Sequence, residues 1–167
     1  MQKKVLTEQS IYYGDVSMPK NWEIDPTDLA HNILHWNLTD EEFYFSRTFD
    51  KLNCYIKEHI NLKYKLNLIN KETWGDIYAP QKSSAPLLNI DPVDFRNSPD
   101  YVLLYGVKTS DCNVRIYYDD NRRKGRSWDM ELKQNMFIMF PSTNMYYITN
   151  KQKDNLNFIQ TITYESI

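Results

Sequence analysis

His31 and His35 stand four residues apart, the spacing that puts two imidazoles on one helix face where they could share a metal ion. No third cysteine, histidine or acidic ligand follows at useful spacing, and beside Leu34 and Trp36 the pair reads as helix packing. Asp91, Asp94 and Asp100 could form a carboxylate pair for acid–base work. They fall in a proline-rich stretch, where aspartates stabilise turns by accepting from nearby backbone N–H groups. Arg122, Arg123, Lys124 and Arg126 place four cations in five positions around Gly125. Guanidinium groups fork onto carboxylate or phosphate, so the cluster is expected to meet a partner. The competing reading is a solvated loop balanced by Asp119, Asp120, Asp129 and Glu131. The rings of Tyr117, Tyr118, Trp128, Phe140, Tyr146 and Tyr147 could stack on nucleic-acid bases. In a strand, however, neighbouring residues face opposite sides, so one ring of each Tyr-Tyr pair turns away from the core, where tyrosine favours protein interfaces. Tyr117 and Tyr118 therefore join the basic cluster as expected partner-binding residues.

Two kinds of element must hold these groups. A β-rich stretch over 9–16, closed by Gly14-Asp15, reads as an edge strand. Asp25-Pro26 starts a helix, because Asp25 can accept from free N–H groups and proline presets the first helical φ. Leu29, Ile33 and Trp36 give it a buried stripe, and Asn37 is its expected stop. Thr39-Asp40-Glu41-Glu42 has the form of a capping box for a second helix. Phe45, Phe49, Leu52, Ile56 and Ile60 then step along one face to about Asn61. Past Lys63 the pattern changes to short strands at 66–69, 74–78, 101–107, 113–118, 127–132, 136–140, 145–149 and 156–163. Turn residues separate them with no helical pattern between, which predicts an antiparallel sandwich or barrel. The expected class is α+β: two N-terminal helices (1–63) packed on a β-sandwich (64–167), all one domain.

At 167 residues the chain can bury a core without disulfide or metal staples. Aromatic residues make up 14% of it, so rings must fill much of that core. A net charge of −2 does not suit a general nucleic-acid binder. Cys54 and Cys112 lie far apart with no CxxC pair and no secretory leader at 1–10, which predicts a reducing compartment. No apolar run approaches the length of a membrane helix.

From Trp74 onward the chain resembles the small Fe(II)/2-oxoglutarate oxygenases of phage and marine microbial genomes, which share the double-stranded β-helix, or jelly-roll, cupin-like fold. Residues 101–107 resemble their Tyr- and Val-rich strand, and Ile116-Tyr117-Tyr118-Asp119-Asp120-Asn121-Arg122 resembles the strand ending in Tyr-Asp-Pro-Arg. Met136-Phe137-Ile138-Met139-Phe140-Pro141-Ser142 resembles the strand and turn before the distal ligand. The resemblance covers roughly the last 90 residues. It implies a facial triad of two imidazoles and one carboxylate around iron. Counted from Pro141, the distal histidine position falls on Tyr146 or Tyr147. Counted back from Tyr101, the proximal pair falls near Pro92 and Asp94. The arginine that would hold 2-oxoglutarate should lie near 155–157, where none stands, although Lys153 is close. His31, His35 and His59 all precede the sheet. The resemblance thus carries the fold, and the residues argue against the activity.

The expected function is therefore a non-catalytic binding or assembly module with no metal or cofactor and no catalytic residues. As a whole the chain is similar to proteins of contractile-tailed phages that infect marine cyanobacteria. That similarity implies a virion neck or tail component, in the host cytoplasm or the virion, with protein partners and self-association open. The rival readings are an oxygenase with unusual ligands, such as Asp94 with Tyr146 or Tyr147, and a nucleic-acid-contacting accessory protein using 122–126.

Overall fold

The first helix begins where Asp25 can cap it. The computed structural model of the chain describes residues 1–5, 8–39, 46–118 and 125–167. In it, the Asp25 carboxylate accepts from Thr27 N at 2.9 Å and α1 (Pro26–Thr39) follows. The helix passes Asn37, the expected stop, because the Asn37 carboxamide donates to Ile33 O and across to Gly75 O, pinning the helix to the sheet. Thr39 is its last described residue, and its hydroxyl donates back to His35 O. The rest of the expected capping box lies outside the described residues. Ser46 instead caps α2 (Arg47–Tyr64), accepting from Phe49 N at 3.0 Å. Lys65 ends α2 in the left-handed region, its N–H bonded to Asn61 O.

Among the described residues nine strands follow an all-antiparallel plan. Sheet A orders β1 (Tyr12–Asp15), β7 (Met136–Pro141), β4 (Tyr101–Lys108), β9 (Asn157–Ser166) and β2 (Leu68–Tyr78). Sheet B orders β3 (Lys82–Ser83), β8 (Tyr146–Asn150), β5 (Cys112–Tyr117) and β6 (Ser127–Glu131). The stretches 66–69 and 74–78, read as separate strands, are one strand, β2, with a register shift between Asn70 and Glu72. This is the α+β double-stranded β-helix expected, with the helices covering one sheet.

The central strands of sheet A, β7, β4 and β9, are buried on both faces, and β7 and β4 read as nearly continuous apolar runs. Leu103, Tyr105, Phe137, Met139 and Ile162 turn toward the helices, where they meet Leu29, Ile33, Phe49, Leu52, Ile56 and Ile60. Val102, Leu104, Ile138, Phe140 and Ile159 turn the other way and pack on Val114, Ile116, Tyr146 and Ile148 of sheet B. Two contacts fix the helices to this sheet. Tyr164 on β9 donates its hydroxyl to Asn53 on α2 at 2.6 Å in the buried layer. On β2, a Cβ added at Gly75 would lie 2.2 Å from Ile33 Cγ1, so only glycine lets α1 come this close.

Candidate functional site

The open end of the sandwich is built where β8 starts. Tyr146 pairs with Leu87 through two backbone bonds, Leu87 N to Tyr146 O at 2.9 Å and Tyr146 N to Leu87 O at 3.0 Å. Its side chain points inward, 2% exposed, with its ring 5.0 Å from Phe140. The Asn89 carboxamide donates to the Tyr146 hydroxyl at 2.8 Å. Burial pushes the Tyr146 phenol up to about 12, against the Asn89 hydrogen bond, which lowers it. The ring is therefore neutral at pH 7.

One face of β2 completes the mouth. Asp76 pairs with Ile159, an intersheet core residue, so the alternating Trp74, Asp76 and Tyr78 share the interior side. Trp74 Nε1 donates to Asp76 Oδ2 at 3.0 Å. Burial raises the Asp76 carboxyl above its ordinary value and the Trp74 bond opposes that; burial likewise raises Tyr78, with Asp76 and Tyr146 adding to the rise. Asn157, fully buried at the start of β9, accepts from Ser110 N and from the Gln152 carboxamide.

The sequence-derived positions divide across the fold. Tyr146 lies in the mouth, while Tyr147 points out of the sandwich with its ring 5.7 Å from Tyr117. Pro92 and Asp94 lie in an exposed loop, Asp94 accepting from Asn97 beside a 3-10 turn at Phe95–Asn97. The residues that face Tyr146 are Leu87 and Asn89. They precede the irregular loop and 3-10 turn that hold Pro92 and Asp94, and a count back from Tyr101 crosses both, whose length no pattern fixes. Leu87-Leu88-Asn89 also carries no ligand chemistry that would have drawn attention. Asp91 accepts from Val93 N within its own turn, whereas Asp100 accepts from Ser166 N at the far end of β9. Lys153 is exposed in the loop before β9.

His31 and His35 are exposed on α1, so they do not join its buried stripe, which is Leu29, Ala30 and Ile33. Trp36, placed in that stripe by its spacing, is only half-buried. His59 stacks on Tyr55 and bonds Tyr55 O through Nδ1. Among the described residues no three His, Cys, Asp or Glu side chains cluster to hold a metal. Arg122, Arg123 and Lys124 lie outside the described residues, and Arg126 is exposed just before β6. Tyr117 and Tyr147, with Arg115 and Asp129, line a groove of about 290 Å³ on the outer face of sheet B. Arg115 forks onto Asp129 at 2.7 and 2.9 Å, holding that carboxyl below its ordinary range. Tyr118 is 43% exposed beyond the end of β5.

Around Tyr146, the Leu87 side chain offers no ligand atom, Asn89 gives its nitrogen to Tyr146 and could ligate only through its oxygen, and the Tyr146 phenol keeps its proton. A dianion would meet Asp76, and Asn157 supplies no positive charge.

No protein-family model matches the sequence, and no curated protein is similar to it. Solved structures match it over nearly its whole length. The prolyl-4-hydroxylase of Pseudomonas putida superposes with a TM-score of 0.67 at 13% identity, over 94% of this chain and 88% of that one. The viral collagen prolyl hydroxylase of Paramecium Bursaria Chlorella virus-1, as its 2OG complex, gives 0.63 at 12%, over 94% and 96%. The non-heme alpha ketoglutarate dependent epimerase SnoN of nogalamycin biosynthesis gives 0.64 at 7%, over 93% and 77%. At these identities the likeness establishes the fold of the 2-oxoglutarate/Fe(II) oxygenases.

Proposed function

We propose that the chain is a non-catalytic binding module on an oxygenase fold, acting in assembly through its outer surfaces. The observation that carries this reading is the Tyr146–Asn89 hydrogen bond beside Leu87, a pair of neutral groups in the mouth satisfied by one another. In this reading the partner is a protein. A phage neck or tail, as the sequence resemblance implies, is the setting in which a small domain of this kind serves. The exposed tyrosines and the 122–126 cluster are then contact groups, not parts of an active site.

The second reading is an oxygenase with other ligands, favoured by the fold it shares with prolyl hydroxylases. Anaerobic reconstitution with Fe(II), metal analysis and a 2-oxoglutarate-to-succinate assay separate the two. Binding-module function expects no stoichiometric iron and no succinate above the protein-free rate. One equivalent of iron with succinate formation overturns it.

A further inference from the structure

β1 is the outermost strand of sheet A, and its outer edge is open among the described residues. Val16 N donates to Asn135 O, and the register pairs Gly14 with Phe137 and Tyr12 with Met139. Antiparallel bonding alternates, so the N–H and C=O groups of Tyr13 and Asp15 point away from β7. Helix α2 runs alongside this edge, and the strand and helix enclose a groove of about 160 Å³. Its helix wall is Tyr55, His59, Ile60, Lys63 and Tyr64, and its other wall is β1 itself. The ends are fixed by two contacts: Tyr12 meets Tyr64 with ring centroids 4.8 Å apart, and Ser17 N donates to the Tyr55 hydroxyl at 3.1 Å. Lys63 therefore lies at the Tyr12 end, and Asp15 at the Tyr55 end.

We propose that this groove takes an extended peptide segment of a protein partner, added antiparallel to β1 as a sixth strand of sheet A. Only a strand matches the spacing of the free groups on Tyr13 and Asp15. The volume beside them admits one side chain against Tyr55, Ile60 and Tyr64, which suits an aliphatic residue. An antiparallel strand begins opposite Asp15 and ends opposite Tyr12, roughly 10 Å further on. Charge complementarity then selects a segment with a basic residue on its N-terminal side, facing Asp15, and an acidic one on its C-terminal side, facing Lys63. This deepens the binding-module reading and rests on it. The groove lies on the helix side of sheet A, so iron at the mouth would overturn that reading and leave a positive result here standing.

The probe is a pool of capped fluorescent tetrapeptides, Lys-X-X-Glu with X drawn from Val, Ile and Thr, titrated against the full chain by anisotropy. Saturable binding is expected, with slowed amide exchange at Tyr13 and Asp15. Backbone N-methylation of the residues that pair with Tyr13 and Asp15 should weaken binding roughly tenfold or more, and the reversed pool Glu-X-X-Lys should bind more weakly. Asp15→Pro removes a free-edge donor without touching the β1–β7 ladder, a position where proline is tolerated. It should abolish binding at an unchanged melting temperature, while Asp15→Asn weakens it less. If Asp15→Pro fails to fold, the methylated probes decide. Absence of binding by the whole pool overturns the proposal, as do indifference to N-methylation and protection mapped elsewhere. A concentration-dependent dimer that protects the same amides also overturns it, by placing a second copy at the edge.

Discussion

Substituting Gly75 by alanine tests whether α1 is locked onto β2 as described. The new Cβ would lie 2.2 Å from Ile33 Cγ1, 2.9 Å from Cγ2 and 3.0 Å from Cβ, all on a fully buried, β-branched side chain. Such a side chain has one favoured χ1 in a helix and cannot swing aside, so the helix itself must back away. Doing so lengthens the Asn37 bond to Gly75 O, 3.0 Å in the native chain, and loosens the layer of Leu29 and Ile33. Overpacking of this kind costs about 1–3 kcal/mol. Alanine restricts the unfolded chain and returns roughly 0.4–1 kcal/mol, leaving a net loss of about 1–2 kcal/mol. Ile33→Ala alone should cost about 2–5 kcal/mol by opening a cavity. It also removes the two nearest clashing atoms, so in that background Gly75→Ala should be neutral or gain up to about 1 kcal/mol from the unfolded chain. That gain is common to both backgrounds and cancels, so the cycle predicts a coupling of about 1–3 kcal/mol between positions 33 and 75. Urea unfolding followed by tryptophan fluorescence and by circular dichroism measures all four proteins. A Gly75→Ala loss under about 0.5 kcal/mol, or strict additivity in the double mutant, would refute the contact.

Leu52→Ala should cost about 2–5 kcal/mol, because Leu52 is fully buried between α2 and sheet A; a near-neutral result in the same urea assay would place that helix face in solvent. Tyr164→Phe leaves the buried Asn53 carbonyl without its donor and should cost about 1–3 kcal/mol by the same assay, the melt of Asn53→Ala serving as control. Burial raises Tyr78, Tyr105, Tyr146 and Tyr164, so the folded state holds their protons more tightly than the unfolded one. Stability should be level up to the ordinary tyrosine range near pH 10 and then fall by up to about 1.4 kcal/mol per pH unit for each. Absorbance at alkaline pH should show these four ionising only with unfolding, and ionisation near pH 10 in an intact fold would contradict their burial. Arg122→Glu with Arg123→Glu should leave the melting temperature unchanged while weakening partner association, most at low salt. Unfolding with association intact would make the cluster structural.

The fold was legible because the central strands of sheet A are buried on both faces and each helix on one. Periods of four and three in 49–60, and unbroken apolar runs in 101–107 and 136–140, report that difference directly. Less was legible where a local signal competed with a tertiary one. Thr39-Asp40-Glu41-Glu42 has the composition of a cap, but the residue that caps α2 is Ser46, without a glutamate three residues on. β3 is two residues long, and its partner β8 lies some 65 residues away, so nothing local announces it. The mouth was half legible. Tyr146 follows from the fixed turn at Pro141, whereas Leu87 and Asn89 are placed only by pairing across the sandwich.

β9 inserts between β2 and β4 in the middle of sheet A, although it is last in the sequence. A nascent chain leaving the ribosome therefore carries both neighbours with their inner edges unpaired until this segment emerges. Ile159, Ile162 and Tyr164, needed by both buried layers, arrive with it. Neither layer can be completed before 157–166 is made, and a chain arrested before 157 would present two open sheet edges to any neighbouring polysome product.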